Sequence, residues 1–347
     1  MTQDLIQPAI VPQRRDIVVI GGSSGSLAPL MRLLSDLDPN LEASVFIVQH
    51  RMVGAPLPVT SLASSTNLAV RVAENQARFQ KGTIYLAPAG QHLMLTTDGM
   101  RVAHGPRENL SRPSIDVLFR SAAVTFGSRV TGVVLSGELH DGAAGLDAIR
   151  RCGGYTIVQD PSDAMSASLP RAALAMFPHR VLRALEIGAT LSELANQPAP
   201  PRVKVPRDLE LEARAAAVAM SAPDELSRVG EASHFTCPEC QGPLWLMQQA
   251  PAHFRCDVGH AFSLDALESG QAHALERALW VAYRILAERS RLIEQMANRA
   301  KEQGNESIAA DYTRRMHELH SHSRAVLSAL ESIDLPAPLP PEVEETS

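Results

Sequence analysis

Apolar runs and helical stripes alternate along residues 16–195. DIVVI (16–20), SVFIVQH (44–50), GTIYLAP (82–88), VTGVVLS (130–136) and GYTIVQD (154–160) are short runs rich in β-branched residues and bounded by turn residues. Between them, LAPLMRLLSDL (27–37), SIDVLFRSAAVTF (114–126) and AAGLDAIRRC (143–152) place apolar residues at helical spacing. Strands alternating with helices predict an α/β domain on a doubly wound, mainly parallel sheet covered on both faces. Segment 93–102 alternates like a hairpin instead, with Asp98-Gly99 as the expected turn.

The pattern breaks after residue 195. NQPAPPRVKVP (196–206) holds four prolines in eleven residues and predicts an extended linker, followed by a short helix over 208–220. A compact cysteine-bearing segment comes next. From 264 to 300, and again from 305 to 333, apolar residues recur at helical spacing, predicting a helical hairpin around Gly304. The Pro-rich, acidic end is expected to be disordered. The expected organisation is an extension at 1–15, an α/β domain at 16–195, a linker and short helix at 196–230, a metal module at 231–263, helices at 264–333 and a tail at 334–347.

Charge and cysteine usage narrow the picture. The net charge is -6, from 32 Lys+Arg against 38 Asp+Glu, so no positive field gathers phosphates and no nucleic-acid partner is expected. No run approaches the ~18 apolar residues of a membrane span, and the N-terminus lacks the apolar core of a signal peptide. The expectation is a cytoplasmic protein without direct membrane insertion. Of 4 cysteines, three fall within one short segment, which fits a metal site in a reducing compartment better than a disulfide framework.

Candidate chemistry begins after the first strand. Gly21-Gly22-Ser23-Ser24-Gly25 fits G-x-S-x-G between a predicted strand and helix, the context of a nucleophile elbow. A phosphate-binding turn or plain Gly/Ser loop reads equally well on this motif alone. His50 closes the second strand, where a surface histidine is the simpler reading. Asp141 follows the strand VTGVVLS, where an aspartate also serves as a helix N-cap. All three nonetheless fall at carboxyl ends of predicted strands, where α/β sheets place their sites. The order Ser…His…Asp excludes the ordinary α/β-hydrolase arrangement.

With these residues stand IGGSSG (20–25), VQH (48–50), IYLAPAGQHL (84–93), RPSIDVLFRSAA (112–123), DGAAG (141–145), QDPSDAM (159–165) and LPRAAL (169–174). Together they resemble the catalytic domain of the CheB protein-glutamate methylesterases of bacterial chemotaxis over residues 14–195. The resemblance implies Ser23 as nucleophile, His50 as general acid/base and Asp141 as orienting carboxylate, with no catalytic cofactor. It also implies demethylation of glutamate methyl esters, or deamidation of glutamine, on a methylated chemoreceptor or related signalling protein. Two departures stand out. Where the family has G-M-G-x-D-G, this chain reads Gly137-Glu138-Leu139-His140-Asp141-Gly142, and Ser26 replaces a glycine after the serine. Glu138 and Leu139 open an alternative, a catalytically impaired signalling scaffold; a serine esterase on another substrate is the third reading. About fifteen residues before the first strand are too few for the family's receiver domain, so no control by phosphorylation in cis is expected.

Cys237-Pro238-Glu239-Cys240 is followed by Cys256-Asp257-Val258-Gly259-His260, a three-Cys, one-His set with knuckle spacing. Structural zinc on Cys237, Cys240, Cys256 and His260 is the expectation, with His234 and His253 as alternative fourth ligands. A redox Cys-x-x-Cys would leave Cys256 and His260 unexplained. Segment 231–265 has one Arg against four acidic residues, again against nucleic acid. Cys152 reads as a buried apolar residue, and His92 and His104 as either surface or site-lining. Trp280 and Tyr283 read as a helix-packing core that also offers self-association through the C-terminal helices. Arg314, Arg315, His317, His320 and His322 read as a solvated face.

Overall fold

The structure is a computed structural model and describes residues 13–51, 55–217, 230–247 and 253–333. The described residues up to Ala266 form one compact unit, and those from Leu267 to Ile333 form a second. The expected tail at 334–347 and most of the extension at 1–15 lie outside the described residues.

Seven parallel strands make the central sheet: β1 (Ile17–Gly22), β2 (Ser44–Gln49), β3 (Ala69–Val72), β4 (Thr83–Leu86), β7 (Val130–Val134), β8 (Tyr155–Gln159) and β9 (Arg180–Leu182). Their spatial order is β3-β4-β2-β1-β7-β8-β9. The chain therefore winds outward from β1 in one direction, then returns to its other side. β1, β2, β4 and β7 are buried along nearly all of their length because helices cover both faces.

One face of the sheet packs on α1 (Leu27–Ser35) and α6 (Ala184–Asn196), where Leu30, Leu33, Leu34, Ile187 and Leu191 meet Val18, Ile20, Val45 and Ile47. The other packs on α3 (Ile115–Phe126) and α4 (Ala143–Arg151), where Ile115, Phe119, Leu146 and Ile149 meet Val19, Phe46 and Val134. The alternating inward side chains of β1 thus feed two cores. Short helices α2 (Val59–Ala63) and α5 (Ser168–Leu174) complete the layers.

The predicted hairpin forms as β5 (His92–Thr96) and β6 (Gly99–Ala103), but its turn is one residue earlier than expected. Thr96 pairs with Gly99, leaving Thr97 and Asp98 as the loop. Gly99 serves close approach instead, since a Cβ there would lie 2.4 Å from the Ala77 carbonyl oxygen.

Beyond the linker, α7 (Arg207–Ala217) precedes a four-stranded antiparallel sheet of β10 (Gly230–Thr236), β11 (Pro243–Met247), β12 (His253–Cys256) and β13 (Ala261–Ser263). α8 (Leu264–Glu302) and α9 (Glu306–Ser332) follow. Gly304, at φ 75°, ends α8 as its amide bonds to Lys301, and Ser290 Oγ meets His320 Nδ1 at 3.4 Å across the two helices. Two helices bury only one stripe each, and Trp280 falls off it. Trp280 is 49% exposed and edge-on to Tyr283, so it is not the packing core the sequence suggested. Arg314, Arg315, His317, His320 and His322 are exposed, as expected.

Candidate active site and metal centre

Ser23, His50 and Asp141 follow β1, β2 and β7, three adjacent strands at the point where the sheet reverses its winding. Such a switch point leaves a crevice beyond the strands' carboxyl ends. The β1–β2 register pairs Gly22 with Gln49, so Ser23 and His50 are the next residues on neighbouring strands. His50 N donates to the Gly22 carbonyl at 2.9 Å, which continues that pairing to the histidine.

The turn carrying Ser23 is closed from several sides. Ser23 N donates to Ser136 O at 3.0 Å, while Ser26 N and Ser26 Oγ donate to Ser23 O at 3.0 and 2.6 Å. Ser26 thus replaces glycine with a buried hydroxyl that locks the turn. Ser136 Oγ donates to Ser24 O at 2.8 Å from β7's extension. A Cβ at Gly137 would lie 2.9 Å from Ser23 Cβ and 2.8 Å from a Leu169 methyl, so glycine is needed there for close approach.

The carboxylate end is the most densely hydrogen-bonded part of the site. Asp141 is 2% exposed and sits at the N-terminus of α3. Its Oδ1 accepts from Ser114 Oγ (2.7 Å), Asp116 N (3.2 Å) and Asn109 Nδ2 (3.3 Å), and its Oδ2 accepts from Ile115 N (2.7 Å). His50 Nε2 lies 2.8 Å from Oδ2. Burial alone would raise the Asp141 pKa, but His50 and the Ile115 and Ser114 donors outweigh it and hold Asp141 below the usual carboxylate range. His50 Nε2 is thus the ring nitrogen that faces the carboxylate, and in the tautomer that carries its proton there Nδ1 is left as the basic atom. Among the described residues Ser23 Oγ makes no hydrogen bond to His50; catalytic contacts are commonly loose before substrate binds.

A second carboxylate, Asp116, lies beside Asp141. Its Oδ1 accepts from Gly142 N (2.9 Å) and Gly145 N (2.6 Å), and its Oδ2 from Asn109 Nδ2 (2.7 Å). Burial, then the charge of Asp141, pushes its pKa well above the ordinary value. His92 is 1% exposed, its Nδ1 accepting from Ser114 N at 3.1 Å and its Nε2 donating to Pro106 O at 2.9 Å. Burial lowers its pKa, so it is a neutral clamp on the start of α3. His104 is hydrogen-bonded at the surface to Gln91. Asn109, Ser114 and Asp116 were given no role in the sequence reading; Ser114 and Asp116 lie inside the RPSIDVLFRSAA stretch, and Asn109 stands outside any motif.

The departures from the family pattern also have places. Glu138 is exposed, and Leu139 has φ 61°, a left-handed conformation that glycine enters freely and leucine does not. Cys152 is fully buried, and burial pushes its thiol up to about 11.

Cys237, Cys240, Cys256 and His260 converge, their ligand atoms all within 4.8 Å of one another. Cys240 and Cys256 Sγ are 3.7 Å apart, and His260 Nδ1 lies 3.4 and 3.7 Å from the Cys256 and Cys237 sulfurs. A tetrahedron with Zn–S of about 2.3 Å and Zn–N of about 2.05 Å has edges of roughly 3.8 and 3.6 Å. The donor set fits zinc in type and size. Two tight turns create it: Cys237 N bonds to Gly242 O, and Cys256 N to His260 O. His253 and His234 are not part of the set, and His253 instead meets Glu212 at 3.2 Å.

The cysteine module is fastened to the α/β domain by buried charge. Arg255, fully buried, donates to Glu108 Oε1 at 2.9 Å and to Gly259 O at 2.9 Å. Arg120 donates to both Glu108 oxygens at 2.7 and 2.8 Å, and its other terminal nitrogen lies 3.5 Å from Glu212. Burial would raise the Glu108 pKa, but the two guanidiniums outweigh it and hold it at about 2. No helix among the described residues is long and apolar enough to cross a membrane.

The chain resembles known proteins over its α/β part. The model of the CheB methylesterase family matches residues 18–191. A putative protein-glutamate methylesterase/protein-glutamine glutaminase of Leptospira interrogans is 36% identical over 163 residues, covering 46% of this chain and 83% of the relative. Similarly named proteins of Anaeromyxobacter dehalogenans and Thiobacillus denitrificans are 37% and 35% identical, and the matches cover 54% and 46% of their lengths. The chain thus spans about half the length of several of its curated relatives. The crystal structure of the Thermotoga maritima CheB methylesterase catalytic domain aligns with a TM-score of 0.49 at 29% identity, covering 52% of this chain and 98% of that one. The chain belongs to the CheB methylesterase family.

Proposed function

We propose that the chain is a serine hydrolase that removes methyl groups from glutamate γ-esters on a methylated chemoreceptor or a related signalling protein, and that also deamidates glutamine. The carrying observation is the buried Asp141 carboxylate, which accepts four protein donors and meets His50 at 2.8 Å beside the Ser23 turn. His50 Nδ1 takes the Ser23 proton as Oγ attacks the ester carbonyl. The tetrahedral intermediate collapses, methanol leaves with that proton, and His50 then activates the water that hydrolyses the acyl-enzyme. Asp141 keeps the tautomer and stabilises the imidazolium. With a glutamine substrate the leaving group is ammonia.

The metal module complements this chemistry without entering it. Cys237, Cys240, Cys256 and His260 would hold one structural zinc, which would tie together the two knuckles and the sheet between them. Four cysteines and no disulfide among the described residues fit a reducing cytoplasm. On α8, Val281, Ile285, Leu292 and Met296 are exposed at spacings of four, seven and four residues, a seam suited to self-association. Sedimentation equilibrium is expected to give a dimer that Ile285→Glu with Leu292→Glu converts to monomer.

A fluorophosphonate probe tests the hydrolase reading. Labelling that maps to Ser23 and disappears in Ser23→Ala supports it. Absence of labelling favours the scaffold reading, which the left-handed Leu139 and the exposed Glu138 beside the site would then explain.

A further inference from the structure

Asn109 is the point where the catalytic carboxylate and the cysteine module meet. The backbone of 107–109 runs beside β13: Asn109 N donates to Ala261 O at 2.7 Å, and Ala261 N donates to Arg107 O at 3.3 Å. The Asn109 side chain is buried, and both its ends are engaged. Its Oδ1 accepts from Ser263 N at 2.8 Å, at the end of β13. Its Nδ2 donates to Asp116 Oδ2 at 2.7 Å and to Asp141 Oδ1 at 3.3 Å. The residue has φ 50°, a conformation that asparagine tolerates better than most side chains. One amide therefore has its oxygen fixed by the module and its hydrogens aimed at two carboxylates of the candidate active site.

We infer that Asn109 is a positioning residue for Asp141 and His50, and that the cysteine module, by presenting the Ser263 amide, holds it in place. This rests on the serine-hydrolase reading. The Ser263 amide leaves the amide oxygen no alternative partner, so Nδ2 cannot rotate away from Asp116 and Asp141. Ser263 lies three residues beyond His260, so a disordered metal knuckle would release β13 and, with it, the orientation of Asn109. The Glu108–Arg255 pair, one residue from Asn109, holds the same two pieces together. The charged and titratable groups around Asp141 are His50, Asp116, His92, Glu108, Arg112 and Arg120. Loss of a hydrogen-bond donor from Asp141 leaves its charge less compensated and strengthens its hold on protonated His50. The acidic limb of the pH–rate profile must then move to higher pH.

The test uses the full zinc-loaded chain and two variants. Asn109→Asp keeps an oxygen for Ser263 N and exchanges the two N–H donors for a carboxyl that offers one O–H when protonated between the two carboxylates; Asn109→Ala loses both the acceptor and the donors. Expected for both is a kcat roughly tenfold lower on a methyl-ester substrate, an unchanged KM within about twofold, and an acidic limb displaced upward, further in Asn109→Ala. Chelating the metal from the unmutated chain is expected to slow fluorophosphonate labelling of Ser23 by a similar factor, and to add little in Asn109→Ala, because the same link is already broken. An unshifted pH profile in both variants overturns the inference. So does chelation that slows the unmutated chain and Asn109→Ala equally. Failure of the underlying reading has a different signature, in which Ser23→Ala releases methanol as fast as the unmutated chain.

Discussion

Replacing Asp141 by Asn exchanges one oxygen for an NH2 group and sets the whole arrangement against itself. The Asp141 oxygens accept from Ser114 Oγ, Asp116 N and Asn109 Nδ2 on one side, and from Ile115 N beside His50 on the other. An asparagine must turn its NH2 toward one of these sets. Facing Oδ1's partners, it meets two fixed N–H donors and strands them, at about 1–3 kcal/mol for each buried unsatisfied group. Facing Oδ2's partners, it meets Ile115 N at the 2.7 Å position and forces His50 Nε2 to accept. The imidazole proton then moves to Nδ1, the atom that must take the Ser23 proton. Either orientation also removes the charge that stabilises imidazolium. The expected result is a fall in kcat/KM of about 1,000- to 10,000-fold, by analogy with the wrong-tautomer effect in other serine hydrolases. Thermal unfolding should fall by a few degrees, consistent with one or two stranded donors. Methyl-ester hydrolysis and calorimetry measure the two effects separately. A variant within about tenfold of the unmutated rate would refute the role assigned to Asp141.

Other perturbations follow from single observations. Leu139→Gly relieves a left-handed leucine and is expected to stabilise the chain by about 1 kcal/mol, read from denaturant unfolding; a loss of stability would contradict the strain. Cys256→Ser removes one of four ligands and should reduce bound zinc from about one equivalent per chain to none, measured by elemental analysis. Glu108 is depressed from 4.5 to about 2, so its contribution to stability is complete above pH 4.5 and lost as pH falls toward 2. The stability difference between the unmutated chain and Glu108→Gln should therefore shrink across that window, and a difference that grows on acidification would reverse the assignment.

The strands, the helices and the strand-end positions of the candidate catalytic residues were legible because they leave local signals. β1, β2 and β7 are runs of Ile, Val and Phe that end in turn residues, and Ser23, His50 and Asp141 directly extend them or their connecting loops. The metal set was legible through spacing, since a knuckle needs its two ligands close in sequence. β3 and β9 were not legible: both lie at sheet edges, are only partly buried, and include arginines that mask their alternation. Gly99 was misread because a turn and a close backbone approach ask for the same residue. Arg255 counted in the sequence as one cation in an acidic segment, yet it is fully buried against Glu108, 147 residues away. Asn109 has the same character. Its partners at Asp116, Asp141 and Ser263 lie on three separate stretches of chain, and no periodicity links them.

The most direct measurement is methanol release from a methyl-ester-bearing chemoreceptor fragment by the unmutated chain and by Ser23→Ala. The account predicts stoichiometric methanol with the unmutated chain and background release with the variant. Equal release from both, or none from the unmutated chain while Ser23 remains labelled by fluorophosphonate, would contradict it.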